Sequence, residues 1–89
     1  MEAIEGTVRA ILAAEILVDF AENEFGLDEG LQEVFGIDSV GLTELRLQCE
    51  DAFGVEISDD YFSPENFESV RSIGRLVRRL LEFGNCRAA

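Results

Sequence analysis

The segment VRSIGRLVRRLL, residues 70–81, constrains the fold more than any other stretch of the chain. Val70, Ile73, Leu76, Val77, Leu80 and Leu81 recur at the spacing of one helix face, and Arg71, Arg75, Arg78 and Arg79 lie outside that stripe. A helix with a single apolar stripe must bury it against another element, and in 89 residues the first partners on hand are the chain's own short segments.

Those segments also have helical period. Ile4, Val8, Ile11 and Leu12 are spaced for one face of a helix over residues 3–18, with Glu5, Arg9 and Glu15 between them. Leu42, Leu45, Cys49, Ala52 and Phe53 share a face of a second helix over 39–53, which Gly54 stops. VEIS, residues 55–58, reads as an extended link. A short third helix is expected at about 59–67, where Ser58 or Asp59 offers one start and SPEN, with Pro64 in the first turn, another. Ser69 caps the last helix, 70–83, whose arginines gather toward its C-terminal half and suit the helix dipole. Between the first two helices runs a long loop, 19–38, anchored by Phe20, Phe25, Leu27, Leu31, Val34 and Phe35, with a helical turn expected at 29–34. The expected fold is all-α, a small four-helix bundle of three longer helices and one short one, in a single domain spanning 1–89.

Composition narrows the chemistry. Nineteen carboxylates face seven arginines, with no lysine and no histidine, for a net charge of −12. Without imidazole the usual nucleophile–base pairs and histidine metal sites cannot be assembled, so an enzyme is not expected. Residues 1–68 carry −16 and residues 69–89 carry +4, which repels nucleic acid from most of the surface and attracts basic protein partners. Cys49 and Cys86 form neither a C-x-x-C pair nor a disulfide framework. Residues 1–20 lack the basic start of a signal peptide, and no apolar run approaches a membrane span. A cytoplasmic protein that binds no membrane is expected. Cys86-Arg-Ala-Ala has the spacing of a prenylation signal, but its arginine argues against one. Cys49, in register with Leu45 and Phe53, reads as a small buried hydrophobe.

FGIDSVGLTEL, residues 35–45, is the stretch where function can reside. Gly36 permits a turn, and Asp38 or Ser39 can accept a hydrogen bond from the orphan amides of the helix that follows. On these residues alone a helix cap is a sufficient account of both.

Taken with the order of elements around it, the motif resembles the acyl carrier and peptidyl carrier proteins, the phosphopantetheine-binding family. The resemblance runs from about Ile4 to Leu81. Asp38-Ser39-Val40 matches the family's Asp-Ser-Leu attachment motif with valine for leucine, and Gly36 stands two residues before the aspartate. Glu44-Leu45, the run Glu50-Asp51-Ala52-Phe53-Gly54-Val55-Glu56-Ile57, and the later Phe67, Ser69, Val70 and Ile73 extend it.

The resemblance implies that Ser39 takes a 4′-phosphopantetheine arm from coenzyme A within a separate Mg²⁺-dependent phosphopantetheinyl transferase. The arm's thiol then holds substrates as thioesters, and the carrier itself catalyses nothing. Asp38 is implied both as a cap and as a contact for the transferase, with Val40 beside them. Glu44, Glu50 and Asp51 are implied as partner-recognition acids, and Leu47, Val40 and Leu42 as apolar contacts, although Leu42 equally suits the core. Implied partners are the transferase, a loading enzyme (adenylation or acyltransferase), and downstream synthase or tailoring enzymes, all meeting a monomer.

Arg46 departs from an all-acidic second helix, and Gly41 weakens its first turn by up to ~1 kcal/mol. The loop 19–36 and SPENF, residues 63–67, look more like the discrete, free-standing carriers of polyketide, nonribosomal-peptide or related specialised biosynthesis than like a housekeeping fatty-acid carrier. The competing reading is a small acidic helical adaptor with no prosthetic group, in which Ser39 only caps the helix. A calcium sensor is ruled out because no D-x-[DN]-x-[DN]-G loop is present.

Overall fold

In a computed structural model, which describes residues 3–83, every regular element is helical. Helix α1 spans Ala3–Ile11 and continues as one π turn over Leu12–Ile16, so the first helical run ends two residues short of the 18 expected. Helix α2 spans Ser39–Phe53 and helix α3 spans Val70–Glu82. The short helix expected at 59–67 does not form. Ser58 O accepts from the amides of Tyr61 and Phe62, Ser63 Oγ accepts from Asn66 N at 3.2 Å, and Asn66 Nδ2 donates to Tyr61 O at 2.9 Å. Two successive turns, cross-braced by Asn66, meet the backbone's hydrogen-bonding needs, and Phe67 turns inward to the core before a second helical turn can be added. The result is a small helical bundle of three helices in which the fourth element is a double turn.

Helix α3 buries its stripe, as its spacing demands: Val70, Ile73, Leu76, Val77 and Leu80 pack mainly on α1 and share one core with Val8, with Leu12 of the π turn, and with Leu45 and Cys49 of α2. Ser69 caps it, its Oγ accepting from Ser72 N. Leu81, placed in the stripe by spacing, is exposed at the helix end, and Ala52 of α2 also faces solvent.

The long loop is packed down by its own aromatic rings. Phe20, Phe25 and Phe35 form a mutual cluster with centroid separations of 4.8–6.0 Å, and Phe25 and Leu31 are fully buried. Backbone bonds tie it to the start of α3, from Leu31 N to Glu68 O and from Arg71 N to Leu27 O, while Arg9 Nε donates to Phe25 O. The helical turn expected at 29–34 forms as a single α-type turn, Val34 N donating to Gly30 O at 2.8 Å, and Val34, read as an anchor, is exposed. A short 3₁₀ turn, Glu22–Glu24, lies earlier in the loop.

One polar pair sits within the interface of α1 and α3. Glu5 is buried, and both its oxygens accept from Arg78, at 2.7 and 2.8 Å. The carboxylate lies over Gly74, where any Cβ would overlap it. Spacing places Glu5 off the apolar stripe and does not show that it is buried.

Cys49 is fully buried, and desolvation pushes its thiol up to about 12. Iodoacetamide at pH 8 is therefore expected to leave Cys49 unmodified in the native protein and to alkylate it only in denaturant, with peptide mapping as the readout. Alkylation of the native thiol at the denatured rate would show that the core around α2 opens. Cys86 and the prenylation-like tail lie outside the described residues.

Candidate functional site

The loop is brought back to the bundle at Gly36, whose φ of +72° is a left-handed conformation that glycine adopts without strain. Ile37 then drops into the core and pins the turn. Asp38 follows with extended backbone and is the N-cap of α2: its Oδ1 accepts from Gly41 N at 2.8 Å, and its carbonyl accepts from Leu42 N at 2.9 Å. The choice left open between Asp38 and Ser39 is thus made in favour of Asp38.

Ser39 becomes the first helical residue, with its side chain exposed and its carbonyl accepting from Thr43 Oγ1 at 2.9 Å. By helix geometry the N–H groups of Ser39 and Val40 have no intrahelical acceptor, so the peptide dipoles here favour an anion on the serine. A phosphodiester at Ser39 therefore fits its surroundings.

Gly41 has a positive reason to be glycine. A Cβ there would crowd Ile37 at 3.1 Å, while Ile16 at 3.5 Å would be in ordinary contact, so its absence leaves room for the side chain that pins the turn. What looked like a weakness in helix propensity is a point of close approach behind the serine.

Along α2, Val40, Glu44, Leu47 and Asp51 follow at spacings of four, three and four, and so share one face. Val40 and Leu47 are 77% and 51% exposed, which makes them an apolar edge beside carboxylates. Glu44 is half-buried and accepts from Gln48 Nε2 at 2.8 Å. Glu50 is elsewhere: its Oε2 accepts from Ile57 N at 2.7 Å, which commits it to holding the link after Gly54. Leu42 is half-buried against the core.

On its other side Ser39 opens onto a groove of about 250 Å³ between α2 and the double turn, lined by Gln32, Leu42, Thr43, Phe62, Pro64 and Phe67 among others. Arg46, the unexpected cation of α2, stands beside it, over the Phe62 ring that lines it. Arg46 Nη1 donates to Asp59 Oδ1 at 3.0 Å, and the guanidinium lies 4.9 Å from the centre of the Phe62 ring. It therefore serves as a brace between α2 and the double turn and does not break up an acidic docking face. Spacing alone could not find this role, because Asp59 and Phe62 are distant in sequence.

Among the described residues no group of three or more His, Cys, Asp or Glu side chains is placed to hold a metal ion. No helix there is long and apolar enough to cross a membrane.

Comparison with known proteins covers most of the chain. Residues 6–80 match the family model described as the phosphopantetheine attachment site. The chain is 39% identical over 71 residues to "Acyl carrier protein 2" of Pseudomonas aeruginosa, covering 80% of this chain and 85% of that one. It is 29% identical over 83 residues to "Acyl carrier protein" of Chlamydia trachomatis serovar L2, covering 93% of this chain and 99% of the other.

Proposed function

The chain belongs to the phosphopantetheine-binding acyl carrier family, and from that membership we propose that Ser39 is its attachment residue and that it serves a specialised biosynthetic pathway. Carriers of this family hold a covalent 4′-phosphopantetheine and are not enzymes; the arm supplies a thiol on which an acyl group rides as a thioester.

The observation that carries Ser39 is positional. It stands exposed as the first residue of α2, while the capping duty falls on Asp38. The adaptor reading required Ser39 as the cap, and that support is gone. In the proposed modification Ser39 Oγ bonds to the phosphorus of coenzyme A that carries pantetheine. Adenosine 3′,5′-bisphosphate leaves, and the hydroxyl proton passes to the transferase. Asp38 keeps the turn in shape, and the first-turn amides of α2 face the new phosphodiester.

Val40, Glu44, Leu47 and Asp51 are the proposed docking edge for the transferase, a loading adenylation or acyltransferase enzyme, and downstream synthase or tailoring enzymes. Their charge speeds encounter with basic partner surfaces and is screened by salt. Glu50, held by Ile57 N, is a structural residue first. The specialised pathway, polyketide or nonribosomal-peptide in class, is supported by the loop 19–36 and by SPENF, which look more like those of discrete carriers in such pathways. We place the protein in the cytoplasm as a monomer, where coenzyme A and these enzymes are available.

Incubation with coenzyme A, Mg²⁺ and a broad-specificity transferase is expected to add about 340 Da, the mass of the arm, with tandem mass spectrometry placing it on Ser39. A gain located on any other residue would refute the site assignment.

A further inference from the structure

Ser39, Leu42 and Thr43 form one wall of the groove that starts at the attachment serine, and Arg46 stands one turn further along the same face of α2. Its side chain is only 21% exposed and reaches across to the double turn, where it pairs with Asp59 and lies over Phe62. Phe62 is itself a wall of the groove, and its ring meets Phe67, another wall, edge-on at 4.9 Å. Behind them Leu45, Cys49 and Ile57 are fully buried in the packed core.

We propose that the Arg46–Phe62 stack is the specificity-determining end of this groove: it stops the groove within about two helical turns of Ser39 and makes the protein a carrier of short or compact acyl groups, with longer aliphatic chains left in solvent. The inference rests on the reading of Ser39 as the attachment site and names the class of cargo that reading leaves open.

Two physical facts support the stop. To pass Arg46, an alkyl chain must part the guanidinium from Asp59 Oδ1, 3.0 Å away, and lift it off the Phe62 ring. Space is also limited, since a dry cavity of roughly 150 Å³ holds one benzene ring. On that scale the groove's 250 Å³ takes roughly ten heavy atoms, and the end of the arm must share them. Gln32, Thr43 and Ser63 on its rim add hydrogen-bonding groups that suit a short polar acyl unit better than a long chain.

The test uses a chain-length series. The apo protein is loaded by a broad-specificity transferase from acetyl-, butyryl-, octanoyl- and dodecanoyl-coenzyme A, and thioester cleavage by neutral hydroxylamine is followed by intact mass. A groove running on into the bundle would protect the thioester by about fourfold for each further methylene fully buried. The expected result is octanoyl and dodecanoyl cleavage within about twofold of butyryl. In Arg46→Met, which keeps an aliphatic stem over Phe62, and in Phe62→Ala, dodecanoyl cleavage should fall by about tenfold or more relative to butyryl.

A merely structural role for Arg46 would alter melting without this dependence on chain length. Tenfold protection of the dodecanoyl form in the wild type overturns the inference, and so does a flat series in both variants once circular dichroism shows them folded. The wild-type series decides the size limit even if neither variant folds. Failure of the underlying reading looks different: no arm is gained, and no thioester forms at all.

Discussion

Ser39→Ala is expected to lose the gain of about 340 Da completely while unfolding in urea within ~0.5 kcal/mol of the wild type. Both halves follow from the geometry at the start of α2. The hydroxyl is exposed and first in the helix, and alanine is a good residue there; the amide that a cap must satisfy, Gly41 N, is satisfied by Asp38 Oδ1. Asp38→Ala should behave in the opposite sense, losing ~0.5–2 kcal/mol of stability yet still accepting the arm. A capping serine would reverse the two stability results. If Ser39→Ala proved as destabilising as Asp38→Ala, or still gained the mass, the separation of cap from attachment point would be wrong.

That separation could not be read from FGIDSVGLTEL, since Asp and Ser have the same capping chemistry and only backbone torsions decide which one lies outside the helix. The bounds of α2 were legible because Gly54 and the Asp-Ser pair punctuate it, and the core of α3 was legible because its stripe is unbroken from Val70 to Leu80. Ala52, Leu81 and Val34 fitted apolar patterns but lie where the bundle has no partner for them; periodicity gives a face and does not say how far the neighbour extends. SPEN did begin a turn through Ser63 Oγ, and tertiary packing of Phe67 ended it at once. At the site itself, the sequence made Ser39 stand out but mistook Gly41 and Arg46 for departures. Each is explained by packing: the Ile37 side chain against Gly41, and Asp59 and Phe62, distant in sequence, against Arg46.

Glu5 is the largest such omission, and it leads to the second large effect. Arg78→Ala is expected to destabilise the protein measurably at pH 7, by less than breaking a fully buried pair does, because Arg78 is itself partly solvated. The side chains are 7% exposed at Glu5 and 42% at Arg78, so the substitution strands the carboxylate while removing a half-exposed cation. The paired hydrogen bonds from Arg78 hold the Glu5 carboxyl below its ordinary value of 4.5, against the opposing effect of burial. A depressed folded-state pKa contributes stability that is fully present above 4.5 and is lost as pH falls through the folded value. In Arg78→Ala the lowering by Arg78 is gone and burial, opposed by a backbone hydrogen bond, lets the carboxyl rise relative to the wild type, so the variant relieves part of its penalty by taking a proton as the pH drops. The gap between wild type and variant in urea unfolding should therefore be widest near neutrality and narrow below pH 4.5. A gap that stayed constant to pH 3.5 would mean that Arg78 matters through the packing of its stem over α1 and not through the charge it presents to Glu5.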